Sequence, residues 1–364
     1  MDLTQAYRRG ETEGLLRLDA NEGAPPRPEL MELLRDCPAE ALRRYPDARA
    51  LERQIAESLD LEPGCVLVTN GGDDAIDRAI RAYAGVGAGA EGSRAGGVAL
   101  HAPTFSMTHR YSALAGARER ATPWLRGEFP RDRFLEQGRS ANLAVLTTPN
   151  NPTGLQIERR LLCRLLDELA PVPVLVDLAY LEFAMVEDAP RAELCRELLE
   201  REHVLIVRTL SKAYGLAGLR VGYALGSPAR IERLRAQGSP FPVSAISLIL
   251  AAKALEFGPD RDDLRNCSRR RVDLGRRLQA LGLESPPSSA NFALGIGGRA
   301  EQLVELLRER GVAVRAFPEL PGLRITCPSS SEDWAELTAA LSDIELVWNQ
   351  QANQQGDQAE RGSS

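Results

Sequence analysis

Lysine is almost missing from this chain: of 45 basic residues in 364, two are lysine, Lys212 and Lys253, and the rest are arginine. A lysine kept in so arginine-biased a sequence points to work that a guanidinium cannot do. Histidine is as scarce, at three residues, and the six cysteines (Cys37, Cys65, Cys163, Cys195, Cys267, Cys327) lie far apart with no CxxC pair. No metal site and no disulfide framework is expected from them; buried free thiols are. Long apolar runs are absent too, none approaching the ~18 to 20 residues that cross a bilayer. The first ten residues are polar and lack the apolar stretch of a secretory signal, so the expected compartment is the cytoplasm. A surplus of positive charge is likewise lacking. The net charge of −6 argues against nucleic acid as the main partner.

What is present is ordinary globular composition, 43% hydrophobic and 26% charged, on a chain long enough for two domains. We expect an N-terminal arm over 1–30, a large domain over 31–240, a smaller one over 241–349 and a disordered polar tail over 350–364. Between Leu30 and Gly226, short β-branched runs alternate with helical patterns, which predicts a mostly parallel sheet covered by helices. The strands fall near 65–69, 97–101, 142–147, 172–177, 203–209 and 221–225. The helices between them fall near 51–59, 73–83, 158–169 and 191–200. After Gly226 longer helices, 245–257 and 262–281, precede a small α+β section with strands near 291–296, 313–317 and 323–327. A helix over 299–310 and a last one from Ser331, with Ser331 as its cap, complete the pattern.

Lys212 directly follows an apolar strand, within Thr209-Leu-Ser-Lys-Ala-Tyr-Gly-Leu-Ala-Gly-Leu-Arg220. Strand ends are where open α/β sheets bind ligands, and a Schiff-base lysine needs an amine that can lose its proton. Alone, such a lysine reads as a surface loop residue. Its neighbours Ser211 and Arg220, a hydroxyl and a guanidinium suited to a phosphate ester, favour the functional reading. Asp177 ends the apolar run Val172-Pro-Val-Leu-Val-Asp177, where a buried carboxylate needs a cationic partner. A protonated pyridine nitrogen supplies one and keeps the ring an electron sink. Tyr180, three residues on, can bond a ring hydroxyl; taken singly, Asp177 reads equally well as a helix cap and Tyr180 as a packed aromatic. Asn70-Gly-Gly-Asp-Asp74 opens a helix, so the N–H groups of Gly72 and Asp73 can face a phosphate, although a plain capped turn explains it as well. Thr148-Pro-Asn-Asn-Pro-Thr-Gly154 is a loop that can aim Asn151 at a ring substituent. Phe105 offers a face for stacking, or simply a core side chain.

Together these segments resemble the fold-type-I pyridoxal-phosphate aminotransferases, and within them the histidinol-phosphate aminotransferase family. The resemblance runs from Leu18 to Leu346 through Leu18-Asp-Ala-Asn-Glu22, Arg44-Tyr-Pro-Asp47, Asn70–Asp74, Pro103–Met107, Pro149–Gly154, Asp177–Phe183, Thr209–Tyr223, Ser289-Ala-Asn-Phe292 and Leu323-Arg-Ile-Thr326. It implies an α/β large domain with a smaller α+β domain and pyridoxal 5'-phosphate as cofactor. In it, Lys212 holds the cofactor and carries the proton between substrate Cα and cofactor. Asp177 pairs the ring nitrogen, Tyr180 and Asn151 the phenolic oxygen, and Phe105 stacks on the ring. Gly72, Asp73, Ser211 and Arg220 hold the phosphate, reached also by Tyr45 from the second subunit of a homodimer. Arg324 clamps the substrate carboxylate, with Asn21 adjusting the fit.

The chain departs from the family pattern at Leu178 (usually glutamate), at Gly72 (often serine), at Pro328 (usually glycine) and in Ser239–Ser244, which lacks a common asparagine. Several of these positions are expected on the substrate side. The implied reaction is transfer of the amino group of L-glutamate to imidazole-acetol phosphate. Transaminases of aromatic or specialised-metabolite amino acids and a phosphothreonine-type decarboxylase are the alternatives. A non-catalytic regulator built on the same domain is disfavoured, because few residues precede Leu18 and Lys212, Asp177 and Arg220 are all retained.

Overall fold

The computed structural model describes residues 12–85, 97–185 and 191–362, with side chains given as far as 350. The first ten residues lie outside the described residues. Among the described residues eleven strands form two sheets: β1 (Leu16–Leu18), β2 (Val66–Asn70), β3 (Gly97–Ala102), β4 (Arg118–Pro123), β5 (Leu143–Thr147), β6 (Val174–Asp177), β7 (Val204–Thr209), β8 (Val221–Gly226), β9 (Phe292–Ile296), β10 (Val312–Phe317) and β11 (Gly322–Thr326). The large sheet has the order β2-β8-β7-β6-β5-β3-β4. Only β8 runs against its neighbours. Because β2 is antiparallel to β8 and β8 to β7, the C-terminal ends of β2, β3, β5, β6 and β7 emerge along one edge. The segments 70–74, 103–107, 148–154, 177–183 and 209–220 all leave from that edge.

The central strands are buried on both sides, which is why they read as unbroken apolar runs. On one face lie helices Arg49–Leu59, Arg159–Leu169 and Arg191–Leu199, which share an apolar core with Leu146, Val176 and Ile206. On the other lie helices Gly71–Ala84 and Pro228–Arg235, packed on Leu175, Leu205 and Val207. Ala75, Ile76, Ala79, Ile80 and Tyr83 are all buried there, as the helical spacing predicts.

The small sheet, β1-β10-β11-β9, carries helices Arg261–Ala280, Ala300–Glu309 and Ser331–Gly362. The arm thus joins the small sheet, through β1 pairing parallel to β10. Helix Ala245–Phe257 packs on the large core through Leu248, Leu250, Ala251 and Ala254, so the apolar packing changes after Phe257 and not at residue 240. The last helix is capped by Ser330, whose Oγ accepts from Asp333 N at 2.9 Å; the cap expected at Ser331 lies one residue late. The backbone of that helix continues to Gly362, through the stretch expected to be disordered, while the side chains beyond 350 lie outside the described residues.

Candidate active site

Alternation along β5, β6 and β7 turns Thr147, Asp177 and Thr209 toward the face covered by helix Gly71–Ala84. Asp177 is 4% exposed, and its Oδ1 accepts from Ala179 N at 3.0 Å. Burial pushes its carboxyl up to about 6, and the nearby Asp73 adds to the rise. A carboxylate in that state favours a cation.

Lys212 sits half-buried in the turn after β7, its Nζ donating to Ala20 O at 3.3 Å and standing 5.9 Å from the centre of the Tyr180 ring. Burial first, and then the Arg324 guanidinium, push its amine down to about 8. Close approach fixes the turn: a Cβ on Gly23 would fall 1.8 Å from Lys212 O, and one on Gly215 1.8 Å from Ala24 O. Only glycine lets the arm lie against the lysine turn.

Helix Gly71–Ala84 has no side-chain cap at its N-terminus, so its first N–H groups point to the strand edge. Arg220 lies over Gly71, donating from Nη2 to Asp73 Oδ2 at 3.0 Å and from Nη1 to Ser211 Oγ at 3.4 Å. Ser211 Oγ also accepts from Thr209 Oγ1 at 2.9 Å. Gly72, Asp73, Ser211 and Arg220 therefore cluster at a helix N-terminus, a place suited to an anion. Phe105 stands half-buried at the end of β3, packed against the core on the same face.

Arg324, on β11, is 7% exposed. It donates from Nη1 to Asn151 Oδ1 at 2.5 Å and from Nη2 to Asp19 O at 2.7 Å, with Phe292 and Phe317 against its guanidinium. Asn151 thus touches the arginine. The neighbouring Asn150 ties its loop to Pro103 O at 2.9 Å. Tyr180 OH accepts from Asn21 Nδ2 at 2.9 Å, and Asn21 takes a left-handed φ of 54° that lets its backbone and side chain both meet Thr326 Oγ1. Asn291 Nδ2 donates to Asn21 O at 3.3 Å.

The structure thus brings together every site residue predicted from sequence except Tyr45, which is 83% exposed and stacks on Phe241 at 4.8 Å. Thr326, Asn291, Asp19 and Thr209 were not singled out for a role, though all four lie inside the quoted motifs. Their roles arise from contacts between distant segments. Leu178 does not line the substrate side: it is 1% exposed in the core on the opposite face. At Gly72 a Cβ would come 3.2 Å from Val207 Cγ1, so glycine is the easy fit against that strand.

These groups fit pyridoxal phosphate. An anion seat, a buried carboxyl suited to a pyridinium and an amine of lowered pKa converge on one strand edge. Comparison with known proteins agrees. Residues 14–341 match the model of the aminotransferase class I and II family. A histidinol-phosphate aminotransferase of Bacillus cytotoxicus is 32% identical over 82% of this chain and 80% of its own. Histidinol-phosphate aminotransferase 2 of Nitrosococcus oceani is 34% identical over 92% and 93%. The crystal structure of the histidinol-phosphate aminotransferase of Sinorhizobium meliloti with pyridoxal-5'-phosphate superposes with a TM-score of 0.79 at 25% identity, over 96% and 98%. With that match spanning both sheets and the whole site, the chain belongs to the class I and II aminotransferases, pyridoxal-phosphate enzymes that move amino groups.

Proposed function

We propose that the enzyme transfers the amino group of L-glutamate to imidazole-acetol phosphate, giving L-histidinol phosphate and 2-oxoglutarate, and that it works in the cytoplasm as a homodimer with shared sites. Among the described residues no helix is long and apolar enough to cross a membrane. The observation that carries the substrate reading is the pair of arginines on the small sheet. Arg315 stands directly across from Arg324 in the β10–β11 register, which turns both side chains to one face. One guanidinium serves an α-carboxylate; two serve a donor dicarboxylate and a phosphorylated acceptor in turn.

Bound pyridoxal phosphate would accept the amino group and the electrons released at the substrate Cα. Asp177 holds the ring nitrogen protonated. Lys212 takes the proton from the substrate Cα and returns it, its amine near 8 being ready to do both at neutral pH. Tyr180 and the amide of Asn151 flank the ring oxygen, Phe105 covers the ring, and Gly72, Asp73, Ser211 and Arg220 hold the phosphate. Tyr45, exposed on one subunit, completes the neighbour's seat. Arg324 fixes the carboxylate, with Asn21 setting the Tyr180 side of the cleft.

Rapid-mixing absorbance of each half-reaction tests this reading. Glutamate and histidinol phosphate should both convert the bound cofactor, and Arg324→Lys should slow both by about 10- to 100-fold, since a point charge cannot reproduce a fork. Conversion by aromatic amino acids alone, or release of carbon dioxide from phosphothreonine, would replace this substrate assignment.

A further inference from the structure

We infer that the buried ion pair Glu182–Arg208 is a positioning device that fixes the segment bearing Asp177 and Tyr180 against the segment bearing Lys212. Glu182 and Arg208 are 2% and 5% exposed, and Arg208 Nη2 donates to Glu182 Oε1. Arg208 Nη1 also points at Cys195 Sγ, 3.6 Å away on helix Arg191–Leu199. The pair lies under the large sheet, on the face opposite to the site: along β7, Ile206 and Arg208 point down while Val207 and Thr209 point up. Neither group touches the cluster above.

Their places in the chain give the pair its meaning. Glu182 is two residues past Tyr180, in the single turn Leu181–Ala184, and Arg208 is four residues before Lys212. A four-residue turn cannot hold its own orientation. The ion pair ties that turn to the end of β7, beside the registered pair Asp177↔Val207. Tyr223, across from Arg208 in β8, and Tyr214, just past Lys212, have phenols pushed up by burial, with Glu182 adding to the rise in both, so both stay neutral beside the pair. An ion pair dry on all sides adds little over a well-packed apolar pair of the same volume, while its geometry is far more exacting. The presence of such a pair in a core otherwise built of apolar and aromatic side chains points to that geometry.

The inference rests on the transaminase reading for its effect on turnover, but one arm of its test does not. Three proteins are compared: native, Arg208→Lys, and the doubly apolar Glu182→Met/Arg208→Met, which removes both charges and keeps volume. In the cofactor-free full chain, the pH dependence of Lys212 acylation is followed by peptide mass mapping, with Lys253 as internal reference. The native midpoint should lie near 8. In both variants it should rise by about 0.5 unit or more as the lysine turn loosens toward water. With cofactor, kcat should fall by about 10- to 100-fold while KM for the donor changes little, because Arg324 is untouched. Glu182→Met/Arg208→Met with native Lys212 midpoint and native kcat would overturn the inference, whatever its thermal midpoint. If the native protein fails to transaminate, the function is wrong and the acylation arm still decides the pair.

Discussion

At the scale of single residues, the site stores free energy in Asp177. Its folded pKa, about 6, lies above its ordinary 3.8, so the cofactor-free fold binds the extra proton between those values. The stability this group contributes is present in full below 3.8 and is lost as pH rises through 6. The loss is on the order of 2 to 3 kcal/mol at neutral pH. A pyridinium beside the carboxylate returns it, so cofactor binding should tighten over the same window. Asp177→Asn removes the buried charge. Urea unfolding of the cofactor-free proteins from pH 4 to 8 should show the variant gaining on the native protein as pH rises, while its turnover falls by about 100-fold or more. A native-minus-variant difference that is flat with pH would contradict this account of Asp177. What sets Asp177 and Lys212 apart was legible in the sequence: the first is a carboxylate ending an apolar run, the second one of two lysines. Glu182 and Arg208 were not, because nothing local distinguishes a buried charge from an exposed one until its partner is placed.

Among the elements, the strands of the large sheet that sequence reasoning located are those covered on both faces. β4, Arg118–Pro123, escaped because it is an exposed, charged edge, the composition edge strands use against aggregation. β1 escaped because three residues show no periodicity, and its partner β10 is at the far end of the chain. Helix Ala245–Phe257 was located, but an apolar run does not say which core it joins, and its buried leucines and alanines pack in the large one. The glycine turn proposed to hold the phosphate depends on a glycine in another strand. A Cβ at Gly222 would fall 2.4 Å from Gly71 C and 2.5 Å from Gly72 N, both backbone atoms that cannot yield cheaply. Gly222→Ala should cost about 1 to 3 kcal/mol and move the N–H groups that face the phosphate. Fluorescence titration should find cofactor affinity lowered by about tenfold or more, corresponding to ~1.4 kcal/mol; unchanged affinity would show the turn to be indifferent to its neighbour.

For the whole molecule, the site gathers segments from the arm, the large sheet and the small sheet, and one more is proposed to come from a second subunit. Tyr45 and Phe241 form an exposed stacked pair, with Met31, Leu34 and Leu42 also exposed on the nearby helices Pro28–Arg35 and Glu40–Arg43. In a two-fold dimer each subunit lends the same residue to the other. Mixing unfolded Tyr45→Phe and Lys212→Ala proteins and refolding them together should yield activity above the mean of the two parents, because one site of the mixed dimer keeps both native residues. Activity equal to that mean would confine each site to one subunit. The two-domain α/β plan was legible from the order of strands and helices. Contacts between arm and small sheet were not, since they join positions that no local pattern connects. The central claim remains that Lys212 carries the cofactor, and the near-absence of lysine makes it directly measurable. Borohydride reduction of the yellow protein followed by peptide mass mapping should place the added mass on Lys212 alone. Label on Lys253, or reduction that leaves both lysines unmodified, would contradict the account.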